Sequence, residues 1–253
     1  MASQKLPILV LAGVGAGGGT GAATAKLFAK SGYRVALIAR SVDSLKSVSN
    51  SLNAEGGKTA PFPVEAYTQK NMESVFSSIK QTWPDAEIRV TIFNAGKGVF
   101  KPFLETTEQE MQESVDTNIV GAFAFARESI LTFQDLQTDE QGKKGTLIFT
   151  GATAGIRGNV TTSAFSAGKH GLRALSQSLA KEFGKQHIHV AHAIIDGVIL
   201  TTQSKQYVSK EKQENPAGML SPDSIAKAYL YLTTQDQSAF TWELDLRPAE
   251  EKW

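Results

Sequence analysis

The stretch G-V-G-A-G-G-G-T-G, Gly13–Gly21, decides the fold. It follows a short apolar run, Ile8–Ala12, and leads into an amphipathic segment, Gly21–Lys30. Glycines in such a turn permit positive φ and let backbone N–H groups come close to a ligand. A helix that starts there points its unpaired N–H groups and the positive end of its dipole at an anion, the arrangement that holds a pyrophosphate. Gly13, Gly15 and Gly18 spell G-x-G-x-x-G, but the helix pattern Ala23–Val35 places the last glycine at Gly21. The phosphate turn is therefore read as Gly15, Gly19, Thr20 and Gly21.

The rest of the chain repeats this alternation. Strands are expected at Ile8–Ala12, Arg34–Ala39, Thr59–Val64, Arg89–Asn94, Thr146–Thr150, His189–Ile195 and Thr241–Leu246. Helices are expected at Gly21–Lys30, Ser41–Asn53, Met72–Thr82, Glu108–Phe133, Ala164–Phe183 and Pro222–Leu232. Parallel strands need crossovers, and strands apolar throughout are buried on both faces, so the pattern predicts an α/β fold with a doubly wound parallel sheet. Gln134–Gly145 reads as a polar surface loop, and the basic pair Lys143-Lys144 as its solvated part. No repeat or change of composition divides the chain, so one domain is expected over residues 1–253.

Composition narrows the chemistry. The 253 residues carry a net charge of +1 with acidic and basic residues interspersed, which gives no electrostatic footprint for nucleic acid. No cysteine is present, so disulfides, thiolate metal sites and thiol nucleophiles are excluded, and no metal site is expected. The run Ile8–Leu11 is far shorter than the ~20 residues of a membrane span. A soluble, cytoplasmic protein acting on a small molecule is the expectation.

The glycine turn, F-N-A-G at Phe93–Gly96, T-N-I-V at Thr117–Val120, F-S-A-G-K at Phe165–Lys169, and Gly197 followed by Thr201 stand in series. In that order they resemble the short-chain dehydrogenase/reductase family, and the likeness spans essentially the whole chain. The resemblance implies a seven-stranded Rossmann-type sheet that binds NAD(H) or NADP(H) across the strand ends. It implies cofactor contacts from Asn94, Ala95, Gly96, Lys169, Gly197, Val198 and Thr201. It also implies a substrate lid around residues 202–221 and a homodimer or homotetramer built on the helices Thr107–Phe133 and Ala164–Phe183.

The second strand ends Ala39-Arg40-Ser41 and offers no carboxylate for a ribose 2′-hydroxyl. Guanidinium pairs with phosphate, so Arg40 and Ser41 predict NADP(H). Glu65, after the third strand, is the expected acceptor for the adenine amino group.

The resemblance also sets up a conflict. It implies a catalytic asparagine at Asn118 and lysine at Lys169, but puts Ala152 at the serine position and Phe165 at the tyrosine position. Both missing groups are hydroxyls that handle the substrate oxygen and its proton. General acid assistance contributes typically ~10²–10⁴ in rate, so ordinary ketone reduction loses that factor. Asp196, where the family usually has proline, would present a carboxylate beside the nicotinamide. Thr153, Thr161, Thr162, Ser163, Ser166 and Tyr207 are candidate replacement hydroxyls, and Tyr207 is the best of them chemically. Three functions fit: a reductase for an iminium or conjugated double bond, a carbonyl reductase with a displaced acid, and an inactive NADP(H)-binding sensor or assembly partner.

Overall fold

A computed structural model describes residues 6–15 and 18–252. Residues 16–17 of the glycine turn and Trp253 lie outside the described residues. The strands are β1 (Ile8–Ala12), β2 (Arg34–Ala39), β3 (Lys58–Pro63), β4 (Ile88–Phe93), β5 (Gly145–Thr150), β6 (Ile188–Ile195) and β7 (Glu243–Leu246). They form a seven-stranded sheet in the order β3-β2-β1-β4-β5-β6-β7. Every pairing is parallel. The helices are α1 (Thr20–Lys30), α2 (Val42–Ala54), α3 (Gln69–Thr82), α4 (Glu108–Val115), α5 (Gly121–Gln134), α6 (Ser163–Phe183), α7 (Lys210–Glu214) and α8 (Pro222–Thr234).

Alternate side chains of each strand enter two apolar layers. Val10, Ile38, Phe93, Phe149 and Val190 pack with Phe76, Phe125 and Leu172 from α3, α5 and α6. Leu9, Leu37, Ile92, Ile148 and Ala191 pack with Phe28, Leu45 and Tyr229 from α1, α2 and α8. The sheet is thus covered on both faces, as its continuous apolar strands require. Winding reverses between β1 and β4, and the crevice at such a reversal is where open α/β sheets take ligands.

Three local expectations change. Glu108–Phe133, read as one helix, is α4 and α5 joined by a π-helical turn, Asp116–Val120. That turn carries Asn118, whose polar side chain is completely buried and needs its own hydrogen bonds. Lys143 is not solvated: it is 3 % exposed, and its ammonium donates to Thr233 O at 2.7 Å and Gln235 O at 2.6 Å. It satisfies carbonyls at the end of α8, where a cation is favourable. The segment after Leu200 contains α7 and a single 3₁₀ turn, Ser204–Gln206, where the sequence showed only loop. Its two ends are clipped together by Leu200 N donating to Leu220 O and Leu220 N donating to Val198 O.

On the paired long helices, Phe125 and Leu172 face the core, whereas Phe123 is 55 % exposed. No described helix is long and apolar enough to cross a membrane.

Candidate active site

The glycine turn is built by close approach. A Cβ at Gly13, where φ is +95°, would stand 2.2 Å from Ala95 N, and one at Gly21 would stand 2.6 Å from Gly13 O. The ends of β1 and β4 and the start of α1 therefore touch through main chain. Asn94 secures them: its Nδ2 donates to Gly13 O at 2.8 Å, while Thr150 Oγ1 donates to Asn94 Oδ1 at 3.0 Å. Thr150 also meets the Tyr229 hydroxyl at 2.8 Å, which joins α8 to the same network.

Two cavities open along this edge. The larger, about 1170 Å³, runs from Gly15 and Gly19 past Lys169 to Asp196 and the segment beyond Gly197. The smaller, about 350 Å³, lies beside Gly15, Arg40, Ser41 and Tyr67. Both share Gly13, Gly15, Asn94 and Gly96, so together they make one elongated trough. Helix α1 starts in it at Gly19 with no side-chain cap and no acidic residue in its first turn. Its first N–H groups are left for an anion. Among the described residues, nothing lies within 4 Å of where a Cβ on Gly15 would be, and the buried Thr20 hydroxyl has no hydrogen-bond partner. A dinucleotide fits this donor set and this shape.

Lys169 and Asn118 meet behind Gly96. A Cβ on Gly96 would lie 3.4 Å from both Lys169 Nζ and Asn118 Oδ1. Lys169 is 5 % exposed and donates to Thr150 O at 2.9 Å. Burial pulls its ammonium down to about 8. Asn118 Nδ2 donates to Lys97 O at 2.9 Å and to Ser114 Oγ at 3.1 Å, and Lys97 N donates to Asn118 Oδ1 at 3.3 Å. Ser114 in turn donates to Ala164 O at 2.9 Å. Asn118 therefore joins the strand-four turn to α4, and through Ser114 to α6.

Phe165 and Ala152 line the larger cavity. The Phe165 ring lies 5.9 Å from Lys169 Nζ and packs against Phe100 at 5.2 Å between centroids. Asp196, only 1 % exposed, accepts a short hydrogen bond from Thr153 Oγ1. Its Oδ2 lies 3.2 Å from Arg247 Nη2, and Arg157 Nη2 lies 3.7 Å from its Oδ1. The carboxylate expected to be available to the cleft is thus already paired within the chain. Gly197 follows at φ +145°, with Pro248 2.8 Å from its would-be Cβ. Val198 and Thr201 line the cavity, and Thr201 is locked into a turn by Ser204 N donating to its Oγ1 at 3.0 Å.

Two further placements differ from expectation. Glu65 is exposed and borders neither cavity; β3 ends at Pro63, and Tyr67, two residues past Glu65, lines the smaller cavity instead. Tyr207 reaches the larger cavity from its mouth and is 72 % exposed. His192, by contrast, is a buried strand residue whose imidazole is pushed down to about 4 by burial. The sequence carried no signal for Arg157, Arg247 or Glu251, because their shared neighbourhood around Asp196 is assembled from distant segments.

The sequence profile of short chain dehydrogenases matches residues 9–213. The chain belongs to the short chain dehydrogenase family. Within this oxidoreductase family, a 3-oxoacyl-[acyl-carrier-protein] reductase of Mus musculus is 28 % identical over 225 residues, covering 88 % of the chain and 90 % of the relative. A short-chain dehydrogenase structure from Rhodopseudomonas palustris is 32 % identical, covers 95 % of this chain and 98 % of its own, and superposes with a TM-score of 0.76. An alcohol dehydrogenase from the archaeon Thermococcus sibiricus, complexed with 5-hydroxy-NADP, shares the fold at a TM-score of 0.82 and 22 % identity over 98 % of each chain.

Proposed function

We propose that this short chain dehydrogenase is an NADP(H)-dependent reductase of carbon–nitrogen double bonds in their protonated, iminium form. The observation that carries this reading is the wall beside the buried Lys169 ammonium: a phenylalanine ring and an alanine methyl, Phe165 and Ala152, stand at the two positions from which the family resemblance expects hydroxyls to hold and protonate a ketone oxygen. Bound in the trough, the nicotinamide would supply a hydride. An iminium needs nothing more, since hydride at carbon turns the C=N π pair into the nitrogen lone pair of an amine. A ketone also needs a proton on its developing alkoxide, which is the missing element.

The residues assigned to the cofactor are those facing the trough. The N-terminus of α1 with Gly15, Gly19, Thr20 and Gly21 would hold the pyrophosphate, and Arg40 with Ser41 in the smaller cavity a 2′-phosphate. Asn94, Ala95 and Gly96 would admit the nicotinamide ribose, with Lys169 donating to its hydroxyls. Gly197, Val198 and Thr201 would meet the carboxamide, and residues 202–221 would close over the substrate. Lys169 and Asn118 act as positioning residues in this scheme. The exposed apolar side chains Met111, Val120, Phe123 and Leu131 support a homodimer through α4 and α5, which light scattering at micromolar concentration tests.

The deciding assay pairs NADPH with a cyclic imine and its ketone counterpart. Turnover of the imine with no detectable ketone reduction is expected. Efficient ketone reduction by the unaltered protein would overturn the reading.

A further inference from the structure

Thr153 heads a 3₁₀ turn directly after Ala152, and its backbone is fixed by Ile156 N and Arg157 N, which donate to its carbonyl at 3.0 and 3.1 Å. Its hydroxyl points at Asp196, at the end of the neighbouring strand β6, and donates its proton to Asp196 Oδ1. A hydroxyl has one proton and two lone pairs, while a carboxylate only accepts. Once the proton is committed, what Thr153 offers the larger cavity is an acceptor. Among the described residues nothing donates to Thr153 Oγ1, although that cavity is lined by both Thr153 and Asp196.

Asp196 is in turn held in place to accept this hydrogen bond. Arg247 stands 3.2 Å from its Oδ2, and Arg157 stands 3.7 Å from its Oδ1. Arg247 is shared with Asp245, and Glu251 lines the same cavity. The guanidiniums of Arg157 and Arg247 thus face the carboxylates of Asp196 and Asp245, while Glu251, Lys169, Lys212 and Lys252 also line the cavity, so it is the fixed hydrogen bond and not an excess of negative charge that sets what Thr153 presents.

We propose that Thr153, oriented by Asp196, is a specificity-determining acceptor that selects ligands presenting an N–H donor, such as a protonated imine, over ligands presenting a carbonyl oxygen. A ketone oxygen set against Thr153 would meet lone pairs and leave a buried acceptor unpaired, whereas an iminium N–H completes the contact. The inference deepens the proposed imine reduction and rests on it for the identity of the reacting end. It is independent of where the nicotinamide lies.

The test uses dead-end complexes, in which no turnover occurs. Calorimetry follows 3,4-dihydroisoquinoline, protonated at neutral pH, and 2-tetralone, its ketone counterpart, into protein saturated with NADP⁺ and into protein without nucleotide. The expected result is at least tenfold tighter binding of the dihydroisoquinolinium. Thr153→Val should abolish that preference and Thr153→Ser should keep it. Asp196→Asn offers Thr153 an amide N–H, frees the threonine proton to turn toward the cavity, and should shift the preference toward the ketone. Equal binding by the wild type, binding of neither probe, or a preference that survives Thr153→Val overturns the proposal. Failure of NADP⁺ to bind overturns the cofactor reading instead, and the nucleotide-free titration still reads the probe preference. Retention of the preference in Thr153→Ser, with a melting temperature like wild type, separates a lost hydroxyl from a damaged fold.

Discussion

The two ends of the trough are built differently. At the glycine-turn end the surface is main chain and small side chains, packed so closely that a methyl group at Gly13 or Gly21 meets backbone atoms within 3 Å. At the Asp196 end it is made of long charged side chains drawn from Thr153–Arg157, the end of β6 and the segment after β7. The first surface resists change at its centre, since a side chain at Gly13 or Gly21 must move backbone. The second can be altered one side chain at a time. A family that keeps its cofactor and varies its substrate would place rigidity and latitude in this way.

The sharpest way to break the contrast is Gly13→Ala. Positive φ and a contact with Ala95 N should together cost about 3 kcal/mol or more, seen as a large fall in melting temperature and loss of NADPH binding. A variant that bound NADPH normally would show that the glycine-turn end is less rigid than its contacts imply. Next in size, Phe165→Tyr combined with Ala152→Ser should raise NADPH-dependent ketone reduction by about 10²-fold, because it restores a donor beside Lys169. No gain would mean that the Asp196 end, and not the missing hydroxyls, excludes ketones.

Lys169→Met tests the junction of the two ends. Cofactor affinity should fall about tenfold, since a charge-assisted donor is lost. Stability should respond in the opposite sense. Burial lowers the folded-state lysine from 10.5 to about 8, so between those values the unfolded chain holds more protons and stability rises with pH. Wild type should therefore gain on the order of 2–3 kcal/mol relative to Lys169→Met as pH rises from about 8 toward 10.5, measured by denaturant titration at several pH values. The last effect, on affinity alone and with no accompanying change in stability, belongs to Arg40→Ala. Arg40 is exposed, so NADPH affinity should drop only about tenfold, with NADH affinity nearly unchanged. Equal losses for both nucleotides would remove the 2′-phosphate assignment.

The same contrast explains what the sequence disclosed. The sheet, its seven strands and most helix limits follow from apolar periodicity and glycine placement, which are local. Gly15, Gly19, Gly21, Asn94, Gly96 and Lys169 were legible because each sits in a short motif at a strand end or on a helix. The pairing of Asp196 with Arg247 was not, because it joins residues far apart in the chain through side chains alone. Glu65 was misplaced by the same limit: β3 stops at Pro63, and nothing in Val64–Tyr67 states which side chain turns inward. Asn118 was legible as an oddity, an asparagine inside a helical pattern, while the π-helical turn that seats it was not.

Lys143 and Lys169 have a joint consequence for chemical labelling. Both ammonium groups are almost wholly shielded, at 3 % and 5 % exposure, and both are engaged by backbone carbonyls. An acylating reagent would modify the surface amines first and reach these two only when the structure around them opens. One reports the detachment of the C-terminal end of α8 and the other the loosening of the trough floor. The order in which the two lysines become labelled would show whether the molecule comes apart from its periphery or from its ligand site.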